Sequence, residues 1–338
     1  MIRIKLSDPF TSWSILRQTP GSLGVWGDYE FIINKEIKEY DFWVVYEGLN
    51  EEESTSCPPQ NTIIITGEPP DIKKYNPSFL AQFATVITCQ PNITHSNVVL
   101  SQQSQPWHAG VFRTPNGTNI IKLDYDYFRR IGEIHKTRLI STICSSKSMT
   151  KGHRQRLRFI KKLKTHFGQN IDVFGSGFNS IPDKWDAIYP YKYHIVLENS
   201  SIENYWTEKL SDAFLARSYP IYYGCKNLSS YFPTSSFTPI DINEPDQAIS
   251  IIEEIIEDRT YERSMKYIME SNSLVLDKYN LFPMIAQVCN EMKLTSSSFE
   301  MVDIKPESTF IGKFSKIVNA ASTAQREFWN LGSRRIMK

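Results

Sequence analysis

The sequence predicts an α/β protein built from two Rossmann-like lobes with a cleft between them. Short β-branched or aromatic runs alternate with helical patterns, which implies parallel sheets. The alternation occurs twice, once in the first third of the chain and again from about residue 137. Residues 193–224 then read as one strand–loop–helix–strand unit, with polar groups crowded where the first strand meets the helix. Open parallel sheets bind ligands at the carboxyl ends of their strands, so this junction is the first place to look for chemistry.

The chain has 338 residues, enough for two domains. The expected division is a first lobe over 1–130, a second over 131–295 and a helical extension or tail over 296–338. In the first lobe, runs 42–46, 62–66 and 83–89 are strands bounded by turn formers. Residues 51–59 form a polar loop. Pro69-Pro70 stops the strand that ends in Thr66-Gly67-Glu68. Residues 101–118, rich in Gln, Gly, Asn and Pro, form a long loop near the cleft or part of an interdomain passage, with Trp107 and His108 embedded in it. The second lobe reads as a strand over 138–144, a basic helix over 152–167 and a strand over 170–174 that runs into Gly175-Ser176-Gly177. The 193–224 unit follows, then a short strand over 237–242, an amphipathic helix over 245–257 and further helical pattern over 261–292. A helical pattern over 315–329 leads to a basic end, Arg334, Arg335 and Lys338.

Apolar residues make up 41% of the chain, so large cores can be buried. Lys+Arg 38 against Asp+Glu 37 leaves no basic excess, which argues against wholesale nucleic-acid binding. The five cysteines contain no C-x-x-C pair, and Cys89 and Cys144 end apolar runs. Buried reduced thiols are expected rather than a disulfide framework, which favours a reducing compartment. No signal-like apolar segment opens the chain, and no run of about 18 apolar residues occurs. A cytoplasmic location is expected, although a removed anchor would leave the same pattern. The basic end is either a solvated tail or a peripheral contact with an anionic membrane surface. Asn199-Ser200-Ser201 is formally a glycosylation acceptor, but a glycan there would block the candidate site.

At the carboxyl end of the first strand of the 193–224 unit stand Glu198 and Asn199. The helix that follows opens at Thr207, with Glu208 and Lys209 in its first turn. A helix N-terminus offers free N–H groups and partial positive charge to anions. The helix dipole alone accounts for Glu208. It disfavours Lys209, whose charge suits a diphosphate. Arg154, Arg156 and Arg158 lie two apart on the basic helix, so at most one or two can face one ligand and the rest form a solvated face. An arginine that reached a diphosphate would clamp it bidentately. Glu68, with a glycine before it and two prolines after, is a rigidly displayed carboxylate, either a turn residue or a general base. Asp124-Tyr125-Asp126 matches a D-x-D pattern that can hold a metal–diphosphate, or starts a helix. The six histidines have no metal-ligand spacing, and no G-x-S-x-G, G-x-G-x-x-G or Walker A pattern is present. Gly175-Ser176-Gly177 supports only a tight turn.

Glu198-Asn199-Ser200, then Tyr205-Trp206-Thr207-Glu208-Lys209-Leu210, then Pro220-Ile221-Tyr222-Tyr223-Gly224 resembles the signature of the α1,3/4-fucosyltransferases, glycosyltransferase family 10. Asp172-Val173-Phe174-Gly175, Arg156-Leu157-Arg158-Phe159 and Thr66-Gly67-Glu68 resemble further family segments. The likeness covers about residues 137–260, with a thinner match near 62–90. The family's usual small residue before the last strand of the signature is replaced here by Arg217-Ser218-Tyr219.

The resemblance implies a GT-B architecture, with the acceptor-binding lobe first and the nucleotide-sugar lobe second. It implies GDP-fucose as donor, a Gal- or GlcNAc-type glycan as acceptor and inversion at the anomeric carbon. By position, Glu68 would be the general base. Arg156 and Lys209 would neutralise the diphosphate, with Tyr205 and Thr207 beside it. Glu208 and Asn199 would bond the ribose or the fucose, and Glu198 would shape the pocket. Trp107 and His108 are the expected acceptor contacts. No cofactor or metal is required by this scheme, which leaves room for stimulation by divalent ions. The oligomeric state is not legible. Two other readings stay open: a transferase of the same architecture that uses another nucleotide sugar, and a non-catalytic module that binds nucleotide sugar or glycan.

Overall fold

The computed structural model describes residues 1–8, 12–146, 151–292 and 298–310. The first part of the chain carries β1 (Ile2–Ser7), β2 (Val25–Trp26), β3 (Tyr29–Ile33), β4 (Phe42–Tyr46), β5 (Glu53–Cys57), β6 (Thr62–Ile65), the short helix α1 (Pro77–Leu80), β7 (Thr85–Thr88) and β8 (Val98–Leu100). All of these strands but β5 form one sheet in the order β2-β3-β1-β4-β6-β7-β8. It is parallel except where β2 meets β3. Every residue of β4, β6 and β7 is buried. Both faces of these central strands are covered, so they read as unbroken apolar runs rather than as alternation.

Next come a hairpin of β9 (Val111–Arg113) and β10 (Asn119–Ile121), then α2 (Tyr125–Arg130), β11 (Arg138–Ile143), α3 (Lys151–Phe167), β12 (Ile171–Phe174), β13 (Tyr191–Leu197), α4 (Glu208–Leu215), β14 (Tyr219–Tyr223) and β15 (Thr238–Pro239). The last five strands make a second parallel sheet, ordered β12-β11-β13-β14-β15. Helices α5 (Pro245–Glu257), α6 (Thr260–Arg263), α7 (Met265–Asp277) and α8 (Leu281–Met292) follow, and the strand β16 (Glu300–Ile304) comes last. Two largely parallel sheets with covering helices make the chain α/β, in a two-lobed Rossmann-like arrangement.

The chain passes between sheets at places that periodicity does not mark. Trp107, Ala109, Tyr125 and Phe128 pack with Trp206, Leu210, Phe214 and Val275, on the side of the second sheet. Helix α8 returns and packs Leu281, Phe282 and Ile285 against Ile4, Leu6, Val44 and Ile63 of the first. The buried Arg17 pins the passage by donating to the carbonyls of Ala109 at 3.1 Å, Leu123 at 2.6 Å and Trp107.

Some expectations differ from the structure. Within the polar stretch 51–59, β5 pairs antiparallel with β16, Thr55 lying opposite Val302. The same pairing places a strand, not a helix, near the start of the expected tail. The helical pattern over 315–329 and the basic residues Arg334, Arg335 and Lys338 lie outside the described residues. The strand expected over 237–242 contracts to β15. Within the 101–118 stretch, Gln102, Gln103 and Ser104 are buried and Val111–Arg113 forms β9. All five cysteines are buried free thiols. No helix among the described residues is long and apolar enough to cross a membrane.

Candidate active site at the carboxyl ends of the two sheets

Strand β13 ends at Leu197, and Glu198 follows with no solvent exposure. Thr207, the N-cap of α4, turns back onto it. The Thr207 amide donates to Glu198 Oε1 at 2.8 Å, and the hydroxyl lies 2.8 Å from Oε2. Lys209 Nζ sits 2.9 Å from Thr207 Oγ1, 3.3 Å from Glu198 Oε2 and 3.5 Å from Glu208 Oε1. Burial favours loss of its proton. The carboxylates of Glu198 and Glu208 reverse this, so its ammonium is held above the ordinary lysine range. Glu208 shows the opposite balance. Burial opposes its charge, but Lys184 at 2.9 Å and then Lys209 hold it well below the usual carboxylate range. The close seating of Glu198 depends on Gly224 at the end of β14. A Cβ there would lie 2.5 Å from both Glu198 Cγ and the Tyr222 hydroxyl oxygen.

Of the three arginines on α3, Arg154 and Arg158 are exposed and Arg156 is buried, 5% exposed. Its Nη1 donates to the carbonyl of Leu197 at 3.2 Å, and its buried Nε has no hydrogen-bond partner among the described residues. Among the described residues no carboxylate pairs with it. Arg156 and Lys209 therefore meet around Leu197–Glu198, and each lies within range of the other's charge. A buried guanidinium with unspent donors is costly to keep without an anion. Asn199 is half-buried, and its side chain makes no hydrogen bond among the described residues. Tyr205 is buried, and burial followed by Glu198 and Glu68 raises its hydroxyl far above the ordinary range.

From the first lobe, β6 delivers Thr66, Gly67 and Glu68 to the same region. The Glu68 backbone is held at both ends: its amide donates to the Tyr75 hydroxyl at 3.2 Å, and its carbonyl accepts from Gln90 Nε2 at 2.8 Å. Its half-buried carboxyl makes no hydrogen bond or ion pair among the described residues. Burial, and then Glu47, raise its pKa to about 7, while Lys209 and Glu208 of the other lobe act on it with opposite signs. Two contacts tie the lobes beside it: Ser200 Oγ to Asp71 Oδ2 at 3.5 Å, and Gln103 Nε2 to the Asn204 carbonyl at 3.2 Å.

Trp107 and His108, adjacent in sequence, part company in the structure. Trp107 is 1% exposed and packs edge-on against Phe128, 5.9 Å between centroids. A packed indole offers no face to a sugar, so its expected acceptor role is corrected to a core role. His108 stays at the site, edge-on to Trp13 at 5.1 Å and with Nδ1 3.9 Å from Glu208 Oε1. Burial and then Lys184 keep its imidazole well below the ordinary histidine range, so this contact is not an ion pair at neutral pH. The His108 and Ala109 amides both donate to Asp212 Oδ1 of α4 at 3.0 Å, which bolts the passage to the helix that carries Lys209.

Lys184 belongs to this cluster, although nothing in its loop sequence marks it. Glu47 does carry a signal: like Glu68, it is a carboxylate at the end of an apolar run and next to a glycine. Asp124 serves as the N-cap of α2, accepting from the Tyr127 amide at 2.9 Å, and Asp126 pairs with Arg130 at 3.3 Å. The helix-start alternative for Asp124-Tyr125-Asp126 is the one realised. Arg217 stands past the C-terminal end of α4, opposite Lys209, and donates to the carbonyls of Ile131 at 2.7 Å and Gly132. The departure Arg217-Ser218-Tyr219 therefore falls at the far end of the helix from the polar cluster. Gly175 turns under β11: at φ +115, a Cβ would lie 2.3 Å from the Cys144 carbonyl oxygen.

The family model described as "Glycosyltransferase family 10 (fucosyltransferase) C-term" matches residues 134–304. The mouse 4-galactosyl-N-acetylglucosaminide 3-alpha-L-fucosyltransferase 9 is 33% identical over 99 residues, 28% of this chain and 26% of that protein. The alpha-(1,3)-fucosyltransferase FucT of Helicobacter pylori is 32% identical over 77 residues, 22% of this chain and 16% of that protein. The chain thus spans about a quarter or less of the length of these curated relatives. A crystal structure of an alpha1,3-fucosyltransferase with GDP aligns with 83% of this chain and 92% of its own at 15% identity, with a TM-score of 0.47. The matched segment holds the whole polar cluster from Arg156 to Gly224, and with half the chain inside it the protein belongs to glycosyltransferase family 10.

Proposed function

We propose that the protein transfers fucose from GDP-fucose to a hydroxyl of a Gal- or GlcNAc-type glycan, with inversion at the anomeric carbon. In this reading the second lobe holds the nucleotide sugar and the first lobe the acceptor. One observation carries it. The buried guanidinium of Arg156, without a carboxylate partner among the described residues, lies beside Lys209 at the N-terminus of α4. Two cations and a helix terminus on one spot suit a pyrophosphate. Names borne by relatives support fucose as the sugar and a galactosyl-N-acetylglucosaminide as the kind of acceptor.

The chemistry follows from charge. As the bond between the sugar's C1 and the β-phosphate oxygen breaks, negative charge gathers on GDP and the sugar takes on oxocarbenium character. Arg156, Lys209 and the positive end of the α4 dipole would offset that charge without reorganising. The acceptor oxygen attacks C1 from the opposite face and its proton passes to the Glu68 carboxylate. Thr207 and Glu198 would fix the Lys209 ammonium. Tyr205, Glu208 and Asn199 would line the nucleoside and sugar subsites, and His108 the acceptor side. A divalent ion could add to the cationic charge there.

Glu68 must be ionised to take the proton. With its pKa raised to about 7, kcat/KM should rise with pH through about 7 and level off above it. A kcat/KM profile from pH 5 to 9 checks this, and a limb near 4.5 would count against Glu68. The donor assignment is tested by thermal shift with GDP-fucose, GDP-mannose and UDP-sugars. GDP-fucose should raise the transition most, and stabilisation by a UDP-sugar alone would remove fucose.

A further inference from the structure

We propose that Glu47 is the positioning residue for Glu68, holding the Gly67–Glu68 turn by two routes while the C-terminal segment braces it through Glu307. This rests on the reading of Glu68 as the base. Glu47 follows β4 directly, 8% exposed and at φ +65, a backbone conformation that non-glycine residues seldom take. The first route is direct: the Gly67 amide donates to Glu47 Oε1 at 2.8 Å. A Cβ at residue 67 would lie 2.9 Å from that oxygen, so a side chain there would push the Glu47 carboxylate off its place. The second route runs through Tyr75. Its hydroxyl donates to Glu47, at 2.6 Å from Oε1 and 2.8 Å from Oε2, and accepts from the Glu68 amide at 3.2 Å. One carboxylate thus fixes two successive amides.

The brace lies behind it. Lys73 Nζ is 3.2 Å from Glu47 Oε2 and 3.2 Å from Glu307 Oε2. Glu307 Oε1 also accepts from the Asn76 amide at 2.7 Å. With its backbone held at both ends, Glu68 has only its carboxyl unengaged, and it is displayed toward the other lobe. The groups that face that carboxyl are Glu47, Lys73, Tyr46, Tyr75 and Cys89 from the first lobe, and Lys209, Glu208 and Tyr205 from the second. Glu47 is the anion nearest in effect, so removing its charge should make Glu68 a stronger acid.

The test pairs Glu47→Gln with Tyr75→Phe. Glu47→Gln keeps an acceptor for the Gly67 amide and removes the charge. The expected result is a fall in kcat of roughly tenfold to a hundredfold, with the acid limb of kcat/KM moved to lower pH. A ¹³C NMR titration of the Glu68 carboxyl, assigned by its loss in Glu68→Gln, should move the same way. Tyr75→Phe keeps the charge and cuts the relay, so kcat should fall with less movement of the limb. The proposal is overturned if folded Glu47→Gln leaves both kcat and the Glu68 titration unchanged, or if Tyr75→Phe has wild-type kcat. If Glu68→Gln itself transfers normally, the base assignment fails instead, and the carboxyl titration still reports separately whether Glu47 acts on Glu68.

Discussion

Glu68→Gln is expected to lower transfer by roughly 10²- to 10⁴-fold, the range of a lost general base, and to leave GDP affinity within a few-fold. The substitution is close to isosteric. The hydrogen bonds that hold residue 68 run through its backbone, to Tyr75, Gln90 and the Cys89 thiol, and survive the change. The carboxyl has no protein partner to abandon among the described residues. Stability should therefore hold, and the loss should fall on kcat rather than on donor binding, because an amide cannot accept the acceptor's proton. Steady-state kinetics beside calorimetry of GDP binding separate the two. A variant that transfers at the wild-type rate would show that another group takes the proton. A wild-type chain that binds GDP yet transfers nothing to any glycan would favour the binding-module alternative.

The parts legible in sequence share a physical reason. Strands β4, β6 and β7 are buried on both faces, so each is an apolar run with turn formers at its ends. Helix α4 announces its start through Thr207 and α5 through Pro245. Spacing alone does not separate Arg156 from Arg154 and Arg158; the family resemblance points to it by position, and in the structure burial sets it apart from the other two. What escaped depended on contacts far apart in the chain. The β5–β16 pair joins two segments without apolar alternation, from opposite ends of the described chain. Trp107 sits in a polar stretch that reads as a loop near the cleft or an interdomain passage, and neither reading places its indole in the core. Arg17 anchors that stretch by satisfying the carbonyls of Trp107 and Ala109 and, just beyond it, that of Leu123, and no local pattern reports this. Lys184 reaches Glu208 from a turn with no motif. Glu47 had the same sequence mark as Glu68, a carboxylate closing an apolar run beside a glycine.

Arg156→Met separates a ligand-binding cation from a structural one. Had Arg156 been part of an ion pair within the fold, its loss would strand a buried carboxylate and cost about 3–5 kcal/mol. Among the described residues its hydrogen-bond partner is instead one carbonyl, that of Leu197, and its buried Nε has none. A buried charge so thinly compensated costs free energy in the empty protein. Methionine fills similar space without it, so the thermal transition of the ligand-free variant should stay level or rise. GDP affinity should fall at the same time. A hydrogen bond to a charged group contributes about 1.5–3 kcal/mol, which corresponds to roughly a 10- to 150-fold weaker Kd. Lys209→Ala makes a less clean experiment, because Lys209 compensates Glu198 and Glu208 within the fold. Its removal would weaken GDP binding and the protein together. Differential scanning calorimetry without ligand and titration calorimetry with GDP read the two arms for Arg156→Met. Lower stability with unchanged GDP affinity would make Arg156 a strut of the second lobe and leave Lys209 alone at the pyrophosphate.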